Sequence, residues 1–226
     1  MAKLADALDL GSSGQPWGFK SSHPHHKEMK RPFKWVRFLK LGVLMELIIN
    51  EENLNINEVQ EFSTIVRAIL VDENNRILVA NYGNVILLPG GKVDEGETLS
   101  EAITGELNEE LGQDYSANEL DFFVILNYYQ KNYPKRDGTS QNRLVQTHYF
   151  VGSYKGIKLD SRKLTEKEQK GNFRLELVSL EDLENMILNN KNNNPRNIYF
   201  QKELLTILAS YKKMTQDTSI KKLELK

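Results

Sequence analysis

Residues 91–112 read GKVDEGETLSEAITGELNEELG and follow Pro89 and Gly90. A glycine opens the stretch, Glu97 comes six residues on, and Glu106, Glu109 and Glu110 share the last turns before Gly112. Leu99, Ala102, Ile103, Leu107 and Leu111 recur near a period of 3.6, which predicts a helix over 98–111. Thr98 is a good N-cap, and Gly112 is a good stop. The three glutamates fall at i, i+3 and i+4 and so share one helix face. Unscreened, they repel. A divalent cation reverses that, because hard ions such as Mg²⁺ take oxygen ligands. The Gly90 carbonyl is a further candidate ligand, since glycine lets the backbone approach closely. A bare acidic face is ordinarily a solvated surface. The leading glycines and the spaced Glu97 argue against that here.

Outward from this stretch the pattern is β-rich. Residues 63–71 (STIVRAILV) and 76–82 (RILVANY) flank the turn residues 72–75 and predict a hairpin. A short apolar strand at 85–88 ends at Pro89. Longer strands are expected at 120–130 and 143–154, joined by an exposed loop, and another at 173–178. Ser179 caps a helix over 180–188. Pro195 opens a last helix running to about residue 211, followed by a charged, fraying tail at 213–226. Strands before and after one central helix, with a helix at the end, predict an α/β fold with a mixed sheet.

Composition excludes several classes. The chain has 226 residues, 39% of them hydrophobic, enough for a core. Its apolar runs, such as 85–88 and 122–126, are far shorter than the roughly 20 residues of a membrane span. It has no cysteine, which removes disulfides and thiolate metal sites and fits a cytoplasmic protein. Charge is uneven: residues 1–44 hold eight Lys or Arg against three acids and three of the four histidines. The acids are in excess beyond residue 44, so a boundary is expected near Met45.

Residues 1–44 lack a structural period and make a poor signal peptide. They are expected to be a non-native or disordered extension. Their first half back-translates into strings that resemble a leucine transfer-RNA gene: residues 9–11 can carry its anticodon, and residues 18–21 its T-loop. On that reading the frame opens too far upstream, and the domain is 45–212.

The stretch that follows Gly90 resembles the Nudix box, GX5EX7REUXEEXGU, where U is aliphatic. Gly91, Glu97, Glu106, Leu107, Glu109, Glu110 and Gly112 fall on its positions without a gap. Two positions depart: Gly105 replaces the arginine, and Gln113 replaces the final aliphatic. The resemblance implies a Nudix-like α/β/α sandwich with a catalytic loop-helix-loop. It also implies a Mg²⁺- or Mn²⁺-dependent hydrolase of a nucleoside diphosphate linked to another group, of the nucleotide-pool cleanup type. Gly90, Glu106, Glu109 and Glu110 would then hold metal, with Glu106 and Glu109 in the chemistry and Glu97 anchoring the loop. Glu168 lies where family members often place an additional acid. Arg67, which interrupts an apolar strand, and Lys92, beside the diphosphate region, are candidates for substrate contact. The expected partner is a small nucleotide. Neither a membrane nor nucleic acid is expected, RNA 5′ ends aside, and a homodimer stays open. The alternative is a non-catalytic nucleotide-binding or sensing module, which the loss of the box arginine at Gly105 favours.

Overall fold

A computed structural model describes residues 45–135, 137–170 and 173–224, without the side chains of Lys167, Glu168 and residues 217–224. Seven strands form one mixed sheet: β1 (Glu46–Ile49), β2 (Glu61–Val71), β3 (Ile77–Tyr82), β4 (Val85–Leu87), β5 (Leu120–Pro134), β6 (Ser140–Ser153) and β7 (Arg174–Val178). The helices are α1 (Leu99–Leu111), α2 (Glu166–Lys170), α3 (Leu180–Asn189) and α4 (Asn197–Glu224). The strand order is β1-β5-β6-β2-β3-β4, with β7 also on β3. The β1–β5 and β2–β6 pairs are parallel and the others antiparallel.

The alternation of β2 explains the layers. Val66, Ala68 and Leu70 are buried against Ile103, Leu107 and Leu111 of α1. The intervening residues turn to the opposite face. There Arg67 stands in register with Tyr149 of β6, whose hydroxyl bonds Glu203 of α4. Leu204, Ile207, Leu208 and Tyr211 of α4 are buried as well. The mixed sheet thus carries α1 on one face and α4 on the other.

Several expected bounds change. The hairpin of β2 and β3 exists, but its strands share only the Val71–Ile77 pair. Most of β2 pairs with β6 instead, eleven positions in parallel register. The loop expected between residues 130 and 143 is largely strand: β5 reaches Pro134, and β6 starts at Ser140. A register shift between Gln130 and Tyr133 lets the ribbon continue. The last helix does not end near residue 211. It runs to Glu224, so the segment expected to be a flexible tail is helical through that residue. The expectation for residues 1–44 lies outside the described residues.

Candidate active site

Residues 88–93 cross from β4 to α1 beside the middle of β2. The Ala68 and Val66 N–H groups donate to the carbonyls of Pro89 and Gly91, both at 2.9 Å, and the Val93 N–H donates to the Thr64 carbonyl at 3.0 Å. This short ladder fixes the loop backbone against a rigid strand. Gly90 has φ 127, and a Cβ there would collide with the Val66 carbonyl oxygen. Only glycine fits both constraints.

The helix starts and stops as its sequence dictates. Thr98 Oγ1 accepts the Glu101 N–H at 3.2 Å, and Glu101 returns a bond to the Thr98 N–H at 2.9 Å, a capping box. Gly112 ends the helix in the left-handed region, at φ 67. Beyond it, a remote segment caps the last turn. Leu111 O accepts the Lys158 N–H at 2.8 Å, Glu109 O the Lys163 N–H at 2.9 Å, and Glu110 O the Arg162 Nε at 2.6 Å. These carbonyls would otherwise lack partners. The Arg162 Nη2 is buried and bonds to no described residue.

Against this frame the glutamates take three positions. Glu110 is buried, and its Oε2 accepts the Gly90 N–H at 3.1 Å. Glu106 lies over Gly91 so closely that a Cβ there would collide with its carboxylate. Glu109 is exposed. Helical spacing brings Glu106 and Glu110 to the loop and points Glu109 outward. Among the described residues no three acidic or histidine side chains are gathered closely enough to hold a metal ion. Glu97 Oε2 accepts the Asp94 N–H at 3.1 Å, which closes the turn before the helix.

Arg67 is not turned to open solvent. Its Nη1 donates to the Leu88 carbonyl at 2.9 Å and to the Gly90 carbonyl. It therefore braces the loop from behind. Lys92 is exposed and pairs through its backbone with Ile65. Glu168 belongs to α2, but its side chain lies outside the described residues. Its neighbour Glu166 is exposed and pairs with Lys170 at 3.2 Å.

Sequence reasoning did not find the groups behind the loop. Glu203 accepts from Tyr149 Oη at 2.6 Å and from Thr147 Oγ1 at 3.0 Å. It lines a small cavity with Arg67, Leu88 and Phe200. A glutamate on an amphipathic helix gives no local signal of this. Nor does Arg162, which becomes notable only once it meets α1.

The donor set suits a hard cation. Two carboxylates and a carbonyl are oxygen ligands, and the glycine backbone leaves room beside them. The Gly90 carbonyl has two lone pairs, so the bond from Arg67 leaves one unused. The chain belongs to the NUDIX domain family, which matches residues 62–201. Nudix hydrolases generally use divalent metal ions such as Mg²⁺. The chain is similar to a NUDIX hydrolase from Nitrosomonas europaea, with 15% identity over 65% of this chain and 90% of that one and a TM-score of 0.44. It is also similar to a MutT NUDIX hydrolase from Burkholderia pseudomallei (17% identity, 63% of this chain, 98% of that chain, TM-score 0.42). A third similar structure is the MutT protein from Methanosarcina mazei Go1 (21% identity, 63% of this chain, 91% of that chain, TM-score 0.40). No curated protein matched the chain. Among the described residues no helix is long and apolar enough to cross a membrane.

Proposed function

We propose that this protein is a Mg²⁺-dependent pyrophosphohydrolase acting on a nucleoside diphosphate linked to another group. The observation that carries the reading is the pair Glu106 and Glu110, held against the Gly90-Gly91 backbone in the register of the box. Domain organisation is part of the proposal: the hydrolase begins at Met45, and residues 1–44 are no part of it.

The substrate diphosphate is already negative, so hydrolysis needs its charge neutralised and a water aimed in line at phosphorus. When bound, Mg²⁺ supplies charge neutralisation and lowers the pKa of a coordinated water. Glu106, Glu110 and the Gly90 carbonyl hold the ion in this reading. Glu110 has a second task, since its bond to the Gly90 N–H fixes the loop to the helix. Glu109 is exposed on the same turn of the helix, and in this reading it would accept a proton from the attacking water once its side chain turns toward the loop. Arg67 orients the Gly90 carbonyl through its guanidinium.

Glu110→Gln keeps the shape and removes the charge. Turnover should fall at least a hundredfold, about 2.7 kcal/mol in barrier, and Mg²⁺ affinity should fall with it. The measurement is phosphate release from a panel of nucleotides across a Mg²⁺ titration. Unchanged turnover in Glu110→Gln would remove the assignment. The second reading is a nucleotide-sensing module without hydrolysis. It is favoured by Gly105, which leaves the box without its arginine. That reading requires nucleotide binding with no phosphate release from any compound in the panel.

A further inference from the structure

The β3–β4 hairpin and the linker between α3 and α4 border an open cleft that the steps above do not use. It measures about 370 Å³, within the range of small-ligand sites. Asn81, Asn84, Ile86, Met186, Asn189 and Lys191 line it, and no acidic residue does. Ile86 also lines the small cavity behind Arg67 and Leu88, so cleft and catalytic loop share a wall. β4 runs directly into Leu88, Pro89 and Gly90. At about 3.3 Å per residue, Ile86 lies within about 13 Å of Gly90, a gap a nucleoside diphosphate can bridge.

We propose that this cleft holds the base of the nucleotide substrate and prefers adenine. The proposal rests on the reading of the Gly90 loop as the diphosphate site. The walls are fixed. Asn190 Nδ2 and Asn192 Nδ2 both donate to the Asn84 carbonyl, at 2.9 Å and 2.8 Å. Asn192 Oδ1 accepts the Asn194 N–H at 2.9 Å. Two carboxamides thus latch the hairpin tip to the linker, and the cleft exists before any ligand arrives. Two others remain: among the described residues, the carboxamides of Asn81 and Asn84 make no hydrogen bond. Asn81 is half-buried and pairs across the hairpin with Ile86. A carboxamide offers a donor beside an acceptor, which complements the amino group and adjacent ring nitrogen of adenine and of cytosine alike. The larger purine ring buries more apolar area against Ile86 and Met186 and is favoured on that ground. Ile86 is buried and Met186 half-buried, which gives a planar ring two apolar contacts, one through a polarisable sulfur. Lys191 is exposed and is the charged residue of the lining.

The test is equilibrium binding without metal. Adenosine, guanosine, cytidine and uridine monophosphates, with ribose 5-phosphate as control, are titrated calorimetrically into the full chain in a chelator. Wild type should bind the adenine nucleotide at least tenfold more tightly than the others. The double variant Asn81→Ala, Asn84→Gly removes both carboxamides. Glycine tolerates the Asn84 backbone, which has φ 63. This variant should lose the preference, leaving ribose 5-phosphate binding and the melting temperature unchanged. No base preference in wild type, or one that survives in the double variant, overturns the proposal. Adenine-selective binding without hydrolysis leaves the cleft assigned and sinks the hydrolase reading. Hydrolysis with a base preference indifferent to both substitutions does the reverse.

Discussion

Gly105 is the residue at which the chain leaves its motif, and the helix around it shows what a side chain there would meet. A Cβ at Gly105 would have no neighbouring group within 4 Å. The position is exposed and lies inside α1, where glycine costs about 1 kcal/mol relative to alanine. Nothing steric therefore requires glycine, unlike Gly90. Gly105→Arg should raise the melting temperature by roughly 2–4 °C in a domain of this size. It also places a cation one turn before Glu109 on the helix surface, so turnover should rise or hold. Thermal unfolding and the phosphate-release panel check both. Arginine abolishing an existing activity would show that the open space serves the substrate. At this scale the sequence was legible where spacing alone carries chemistry. The glycines and Glu106 and Glu110 are set by one helix and one loop. Arg67 was visible as an oddity in an apolar strand, but its target was not. Its bonds to Leu88 and Gly90 span 21 and 23 positions.

The elements were readable in proportion to how local their determinants are. α1 was legible at both ends because Thr98, Glu101 and Gly112 are local signals. β1 was missed: four residues at a sheet edge, stabilised by pairing with β5 some eighty positions away, leave almost no period. The parallel pairing of β2 with β6 is equally nonlocal. So is the clamp at the end of α1, where residues 158–163 supply three donors to its last carbonyls. Gly112 is needed there twice, since its φ is 67 and a Cβ would collide with the Lys158 carbonyl oxygen. Arg162→Met tests the clamp. It keeps much of the apolar stem, whose guanidinium carbon lies 5.3 Å from the Phe173 ring centre, and removes the charged donor to Glu110. A hydrogen bond from a charged group contributes about 1.5–3 kcal/mol. Losing the buried, unpaired Nη2 offsets part of that. The expected loss is about 1–2 kcal/mol, roughly 2–8 °C in melting temperature. Turnover should fall severalfold, because the same turn carries Glu109 and Glu110. An unchanged melting temperature would show that the two backbone donors suffice.

For the whole molecule the question is where the domain begins. The family match starts at residue 62, yet part of the sheet lies before it. β1 extends the sheet beyond β5, Ile49 is buried, and the Asn127 carboxamide donates to Glu46. Asn50 then closes the following turn: its Oδ1 accepts the Leu54 N–H at 2.8 Å, and its Nδ2 donates to the Leu54 carbonyl at 3.0 Å. Two truncations separate the possibilities. A chain starting at Met45 keeps every one of these contacts, so its melting temperature should stay within about 1 °C of the full chain and its turnover should match. A chain starting at Glu51 loses β1. Burying a side chain such as Ile49 contributes about 1.5–3 kcal/mol, and the exposed β5 edge loses its ladder, so melting should fall by roughly 5–10 °C. Circular dichroism melts of the three chains, side by side with the nucleotide panel, decide it. If the Met45 chain melts several degrees below the full chain, residues 1–44 belong to the fold, and a domain boundary at Met45 is wrong. If all three melt together, β1 contributes nothing measurable, and the stable core begins with β2.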